Sequence, residues 1–211
     1  MAAAAGIPVP PGAREAIVTW LALLVEWNAK LDLTAARTPA ELADLMLADA
    51  IALSGRFPHA ANLVDVGTGA GGPGLAIALL RPDLRVTLVE PLAKRVSFLR
   101  TCLARTRRLD VTLARGKGAD QPRGAFDVAI SRATLGPAEW LELGVDLVRP
   151  GREGGIAAAG GDVWVLLARD DAPSSSRAEL RDEIAYTWHH GGQPRRALRF
   201  VRTSGLPSSR A

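Results

Sequence analysis

Apolar residues recur at helical spacing at the start of the chain and in short unbroken runs after residue 60. Ile17, Trp20, Leu21, Leu24, Trp27 and Leu31 share one face of a helix predicted over Arg14 to Leu31. Thr38-Pro39-Ala40-Glu41 is a capping box with proline at the first helical position, so a second helix is predicted from there to about Leu53. Its inner face carries Leu42, Leu45, Met46, Asp49 and Leu53. A carboxylate among such neighbours is either held by nearby backbone N–H groups or faces a polar cleft, and the pattern leaves both open. Five runs read as buried strands: Leu63–Val66, Val86–Val89, Val111–Ala114, Ala125–Ser131 and Val163–Ala168. Helices predicted over Leu75–Leu80, Ala93–Arg105 and Pro137–Val148 alternate with them. A short helix is expected over Ser174–Glu183, then an antiparallel hairpin of Ile184–Trp188 and Ala197–Arg202 joined by HHGGQPRR. The expectation is an α/β fold: a Rossmann-like, mostly parallel sheet with an antiparallel C-terminal hairpin and an N-terminal two-helix cap. The predicted division is a disordered tail at 1–12, the cap at 13–57, the core at 58–203 and a flexible tail at 204–211. The stretch GREGGIAAAGG (151–161) reads as a low-complexity insertion or loop.

The most informative unit runs from Leu63 to Glu90: strand, glycine loop, helix, strand, acid. Five glycines fall within eight residues, at 67, 69, 71, 72 and 74. Glycine lets a backbone turn sharply and approach a ligand without a Cβ clash, at an entropic cost too large for a mere turn. The helix start after the loop offers free N–H groups. Glu90, at the tip of the next strand, is placed to accept both hydroxyls of a ribose. An adenosine-containing ligand follows. Which one is left open, since Gly67, Gly69 and Gly72 satisfy the dinucleotide pattern G-x-G-x-x-G while Gly67, Gly69 and Gly71 satisfy the G-x-G-x-G of S-adenosylmethionine (SAM) sites. After the third strand, Gly118 and Ala119 are placed to lie against the adenine ring. Arg132, at the tip of the fourth, stands over the cleft or pairs with Asp65 or Glu90.

Composition narrows the partner. The 211 residues carry 26 basic and 22 acidic side chains, a net +4, with eleven basic residues between Lys94 and Arg149. A modestly basic surface suits RNA, although an arginine-rich solvated surface would look the same. The single cysteine, Cys102, allows no internal disulfide and fits a reducing cytoplasm. No apolar run reaches membrane-spanning length, and MAAAAGIPVPPG lacks the features of a signal peptide. His189 and His190 are adjacent with no third ligand near, so no metal is expected.

Three stretches together resemble the RsmG (GidB) family: WNAKLDLTA (27–35), VDVGTGAGGPGLAIALLRPDLRVTLVEPLAKRVSFLR (64–100) and FDVAISRA (126–133). The resemblance runs from about residue 20 to 202. It implies a class I SAM-methyltransferase fold and transfer of a methyl group to a guanine N7 of 16S ribosomal RNA. It also implies a cytoplasmic enzyme acting on 16S rRNA or a small-subunit particle, expected to be a monomer. The cofactor residues it implies are Gly67, Gly72, Glu90, Gly118, Ala119 and Arg132, and Asp65 and Gly69 in the same unit complete the candidate set. The sequence departs from the family pattern at Met46, Ala50, Gly72 and Ala119, and Arg169-Asp170 stands near the place of a lysine-glycine after the fifth strand.

Guanine N7 carries a free lone pair, so no base must remove a proton and no general base is assigned. Orientation alone is worth up to roughly 7–11 kcal/mol in favourable cases. Lys94, Arg95 and Arg100 are the candidate RNA contacts. Two other readings remain at this point: a nicotinamide-dependent oxidoreductase, and a non-catalytic RNA-binding relative. The first lacks a Tyr-x-x-x-Lys pair, the only tyrosine being Tyr186.

Overall fold

The computed structural model describes residues 8–151 and 160–203. Seven strands form one sheet: β1 (Asn62–Val66), β2 (Arg85–Glu90), β3 (Thr112–Arg115), β4 (Val128–Ser131), β5 (Asp162–Leu167), β6 (Ala178–Thr187) and β7 (Pro194–Arg202). Their order is β3-β2-β1-β4-β5-β7-β6. β1 to β5 pair in parallel, and β7 pairs antiparallel with both β5 and β6. The expected Rossmann-like, mostly parallel sheet is present, with the ends of β1 to β5 within three residues of those predicted. Strand order reverses between β1 and β4, so their carboxyl ends flank the crevice where ligands of open α/β sheets bind.

Among the described residues six α-helices cover the sheet: α1 (Ala13–Leu31), α2 (Pro39–Ala43), α3 (Asp49–Leu53), α4 (Gly74–Leu80), α5 (Ala93–Arg105) and α6 (Pro137–Leu147). α4 is buried at every position, as its unbroken apolar run requires. Trp20 and Leu24 of α1 are fully buried, worth about 1.5–3 kcal/mol each. The predicted second helix exists, opened by the Thr38–Glu41 capping box. It is interrupted, however, by a π-helical turn, Asp44–Ala48, between α2 and α3. Such turns free a carbonyl from the helical ladder and recur at functional sites. Of the tails and the insertion, residues 1–7, 204–211 and 152–159 lie outside the described residues.

One element is corrected. Ser174–Glu183 is not a helix: β6 begins at Ala178, and its pairing with β7 makes the hairpin six residues longer at that end. Ala, Glu, Leu and Arg favour a helix locally, but the alternation of half-buried Asp182, Ile184 and Tyr186 with exposed neighbours is that of a strand. A register shift between Leu180 and Asp182 breaks that alternation and hides it from the sequence.

The hairpin turn is fastened by an acid from the cap. Asp44, 2% exposed, accepts from the backbone N–H groups of His190 (2.9 Å) and Gly191 (2.6 Å). Asp44→Ala is therefore expected to lower unfolding stability by about 2 kcal/mol, the scale of lost hydrogen bonds to a charged acceptor. Urea titration reads this as a lower midpoint at constant slope; an unchanged midpoint would show that the clasp carries no stability.

Candidate active site

The glycine loop leaves β1 at Gly67 and is held from three sides. The Gly67 and Thr68 N–H groups donate to Val89 O of the neighbouring strand (2.8 and 3.1 Å). Trp20 Nε1 of α1 donates to Ala70 O (3.0 Å). Gly74 N–H, at the start of α4, donates to Asp65 Oδ2 (2.8 Å). Asp65 is fully buried, and burial pushes its carboxyl up to about 6, against the pull of the Thr68 hydroxyl and the Gly74 N–H. It lies beneath the loop, not in the cavity, so its role is to shape the α4 start.

A cavity of about 570 Å³ lies over this loop. Its walls include the Gly67–Ala70 backbone, Glu90, Leu92, Arg95, Met46 and Thr34. Gly67 (φ 73°) and Gly69 (φ 61°) adopt left-handed backbone. A Cβ on Gly67 would fall 2.0 Å from Thr134 Oγ1, whereas one on Gly69 would meet only the Gly67 carbonyl, at 3.9 Å. Gly67 is thus demanded by packing, and Gly69 leaves open space for a ligand. Glu90, 1% exposed, lines the cavity and accepts from Gly69 N–H (3.0 Å) and Leu92 N–H (2.9 Å). Those bonds orient the carboxylate and leave it lone pairs for hydroxyl donors. Arg95 Nη1 stands 3.8 Å from Glu90 Oε2. A groove of this size and donor set fits an adenosine ligand.

Arg132 departs from the pairing expected for it. Its partner is neither Asp65 nor Glu90 but Asp49: Nη1 donates to Asp49 Oδ2 (2.8 Å) and to Leu45 O of the π-turn, and Nη2 to Gly72 O (3.2 Å). Asp49 was visible in sequence, but its partners were not. It is 1% exposed and also accepts from Tyr186 Oη (2.9 Å) and Trp188 Nε1 (3.0 Å), both on the distant hairpin. Its lone pairs thus go to side chains, not to backbone N–H groups. Burial, then the Asp49 charge, drives the Tyr186 hydroxyl well above its ordinary value, which keeps it a donor. The only cue in the sequence is that Ile184, Tyr186 and Trp188 alternate. A Cβ on Gly72 would lie 3.1 Å from Leu45 O and 3.2 Å from Arg132 Nη2, so glycine here admits both the π-turn and the arginine.

Other predicted site residues fall elsewhere. Gly118 is buried against Val66 and Leu143, and Ala119 is exposed in the turn after β3; neither lines the cavity. Lys94 Nζ donates to Leu31 O at the end of α1 (2.8 Å), and Arg95 turns toward Glu90, so only Arg100 of the three candidate RNA contacts has no bonded partner among the described residues. Cys102 is buried, which pushes its thiol up to about 12 and makes it inert. Among the described residues no cluster of His, Cys, Asp or Glu has metal-binding geometry.

Comparison with known proteins now decides the class. The family model described as rRNA small subunit methyltransferase G matches residues 13–158. The chain belongs to this family. Its members are SAM-dependent methyltransferases, so the cofactor is SAM and the nicotinamide reading is not favoured. Ribosomal RNA small subunit methyltransferase G of Anaeromyxobacter dehalogenans is 34% identical, over 79% of this chain and 75% of its own. The protein of the same name from Anaeromyxobacter sp. is 33% identical, over 83% and 90%. A solved methyltransferase of Pyrococcus furiosus is 18% identical with a TM-score of 0.54 over 90% of this chain and 98% of its own, a likeness of fold.

Two outcomes follow from the loop. Gly67→Val, at a left-handed position packed on Thr134, is expected to abolish SAM binding while the sheet persists; calorimetry with SAM beside circular dichroism checks it, and retained affinity would show that the loop is not the SAM cradle. Asp65 has a folded pKa of about 6 against an ordinary 3.8, so the folded state holds its proton more tightly. This group's contribution to stability is therefore fully present below pH 4 and lost as pH rises to about 6, a change of about 3 kcal/mol. Urea titrations of Asp65→Asn across pH 4–7 should show the variant gaining on the parent over that window. A constant difference would mean that Asp65 is not a raised carboxyl.

Proposed function

We propose that this protein transfers the methyl group of SAM to N7 of a guanine in 16S ribosomal RNA, in the cytoplasm and as a monomer. The observation that carries the reading is the meeting of two cavities at the carboxyl ends of the strands. The SAM cavity and a second one beyond it share Leu45, Arg132 and Ala133. SAM supplies an electrophilic methyl on a sulfonium, and an acceptor with a free lone pair needs no base. What this chain's residues do is position. Glu90 takes the ribose hydroxyls, the Gly67–Ala70 backbone lies along the ligand, and the clamped Arg132 stands between donor and acceptor. Ala133, at the same junction, holds a left-handed φ of 53°, a strained conformation for a non-glycine residue.

RNA docking is assigned to Arg100 and Lys94 on the exposed side of α5, whose start borders the SAM cavity through Leu92 and Arg95. Lys94 gives one donor to Leu31 O and has two more for a phosphate. Arg95 is assigned to the SAM side. No helix among the described residues is long and apolar enough to cross a membrane.

The test is methyl transfer from labelled SAM to 16S RNA and to small-subunit particles, with the methylated nucleotide mapped. Transfer to guanine N7 is expected; SAM binding without transfer to either would favour a non-catalytic relative. In RNA binding across a salt series, Lys94→Ala and Arg100→Ala should each lower the slope by about one unit, and Arg95→Ala should leave it unchanged. Equal slopes for all four proteins would remove α5 from the RNA surface.

A further inference from the structure

The second cavity has a built wall that the SAM site does not use. It holds about 230 Å³ at the carboxyl ends of β4 and β5. That is below the roughly 300–1,000 Å³ of clefts that take whole drug-sized ligands, and suits one planar base. Tyr186 and Trp188 line it, and both are fixed by the same Asp49 oxygen that closes on Arg132 through its partner oxygen. The Arg195 guanidinium lies 4.0 Å from the Trp188 ring centre, stiffening that ring further. Rotamer freedom is thus already lost before anything binds. Base–aromatic stacking contributes about 1–3 kcal/mol per base without choosing among bases.

Choice among bases needs a polar group that is not already committed. Asp49 already accepts three bonds and is paired with Arg132. Arg132 is three-fold bonded, and its donors suit an acceptor edge, which both guanine (O6, N7) and adenine (N7) present. Arg195 is a donor as well, laid over the Trp188 ring and bonded to Pro194 O and Gln193 Oε1, so the remaining charged acceptor on the cavity is Asp170, just beyond β5. It is exposed and makes no hydrogen bond or ion pair among the described residues. A free carboxylate accepts and never donates at neutral pH. Among the purines only guanine offers it two adjacent donors, N1–H and the N2 amino group. A guanine held by that edge keeps N7 unbonded on its far side.

We propose that this cavity receives the acceptor base flipped from the RNA, and that Asp170 selects guanine by accepting from N1–H and N2–H. Tyr186 and Trp188 form the stacking wall, and Arg132 faces the N7 and O6 side. The selection leaves the nucleophilic lone pair free, which a bidentate arginine on O6 and N7 would not do. This inference rests on the guanine-N7 reading above.

Two measurements separate the two claims. In the first, kcat/KM is determined on RNA carrying guanine or hypoxanthine at the target, for the parent and for Asp170→Ala; hypoxanthine lacks the N2 amino group. The parent should lose about tenfold on hypoxanthine, and Asp170→Ala should lose about tenfold on guanine with no further loss on hypoxanthine. SAM affinity should be equal in both proteins. An unchanged rate in Asp170→Ala, or an undiminished hypoxanthine penalty in it, would overturn the assignment. In the second, saturation-transfer NMR with S-adenosylhomocysteine present compares guanosine and adenosine on the parent and on Asp170→Ala. Guanosine contact should exceed adenosine contact in the parent alone. Should the parent methylate no RNA while this preference persists, the reaction reading fails and the pocket stands. Equal contact by both nucleosides in the parent would sink the pocket whatever the methylation result.

Discussion

The buried Asp49 carboxylate is the interaction on which the site depends. A carboxyl that is 1% exposed must be paired and hydrogen-bonded. Here three donors meet it: Arg132 after β4, and Tyr186 and Trp188 near the hairpin. One side chain from the N-terminal cap thus joins elements 83, 137 and 139 residues away. Removing Asp49 itself would take the shared acceptor from Tyr186 and Trp188 and the charge partner from Arg132 at once, which costs more than any single bond contributes. One carboxylate thus fixes three side chains together, a property suited to residues that must hold position during group transfer.

Around that node the division of labour is plain. The first half of the sheet, with its glycine loop, builds one cavity. The second half, with the hairpin, builds the wall opposite. The π-turn lies between them, since Leu45 borders both cavities and offers its carbonyl to Arg132. A regular α-helical turn would spend that carbonyl on its own ladder.

Much of this was legible in the sequence. Buried parallel strands are unbroken apolar runs, and a glycine loop before an acid-tipped strand is a local pattern, so β1–α4–β2 and the placing of Gly67, Gly69 and Glu90 around one cavity could be read directly. What could not be read were partners distant along the chain. Asp49 was singled out, yet nothing local says that Tyr186 will reach it. Asp65 looked like a site residue because it ends a strand beside the loop, but strand side chains alternate, and its own faces α4. Lys94 looked free because it is polar on an amphipathic helix; its ammonium instead meets the last carbonyl of α1. The β6 misreading has the same origin, for only its partner strand makes AELR extended.

The bond from Trp20 to Ala70 O bears on how the chain comes to be assembled. The glycine loop has little of its own to choose one backbone path among many. The helix that pins it is made 50 residues earlier. During synthesis, α1 emerges first, and its apolar face waits for β1 and α4 to arrive. The loop is then shaped against a template already present, so that the entropy of its glycines is surrendered at collapse and not at the moment the cofactor enters.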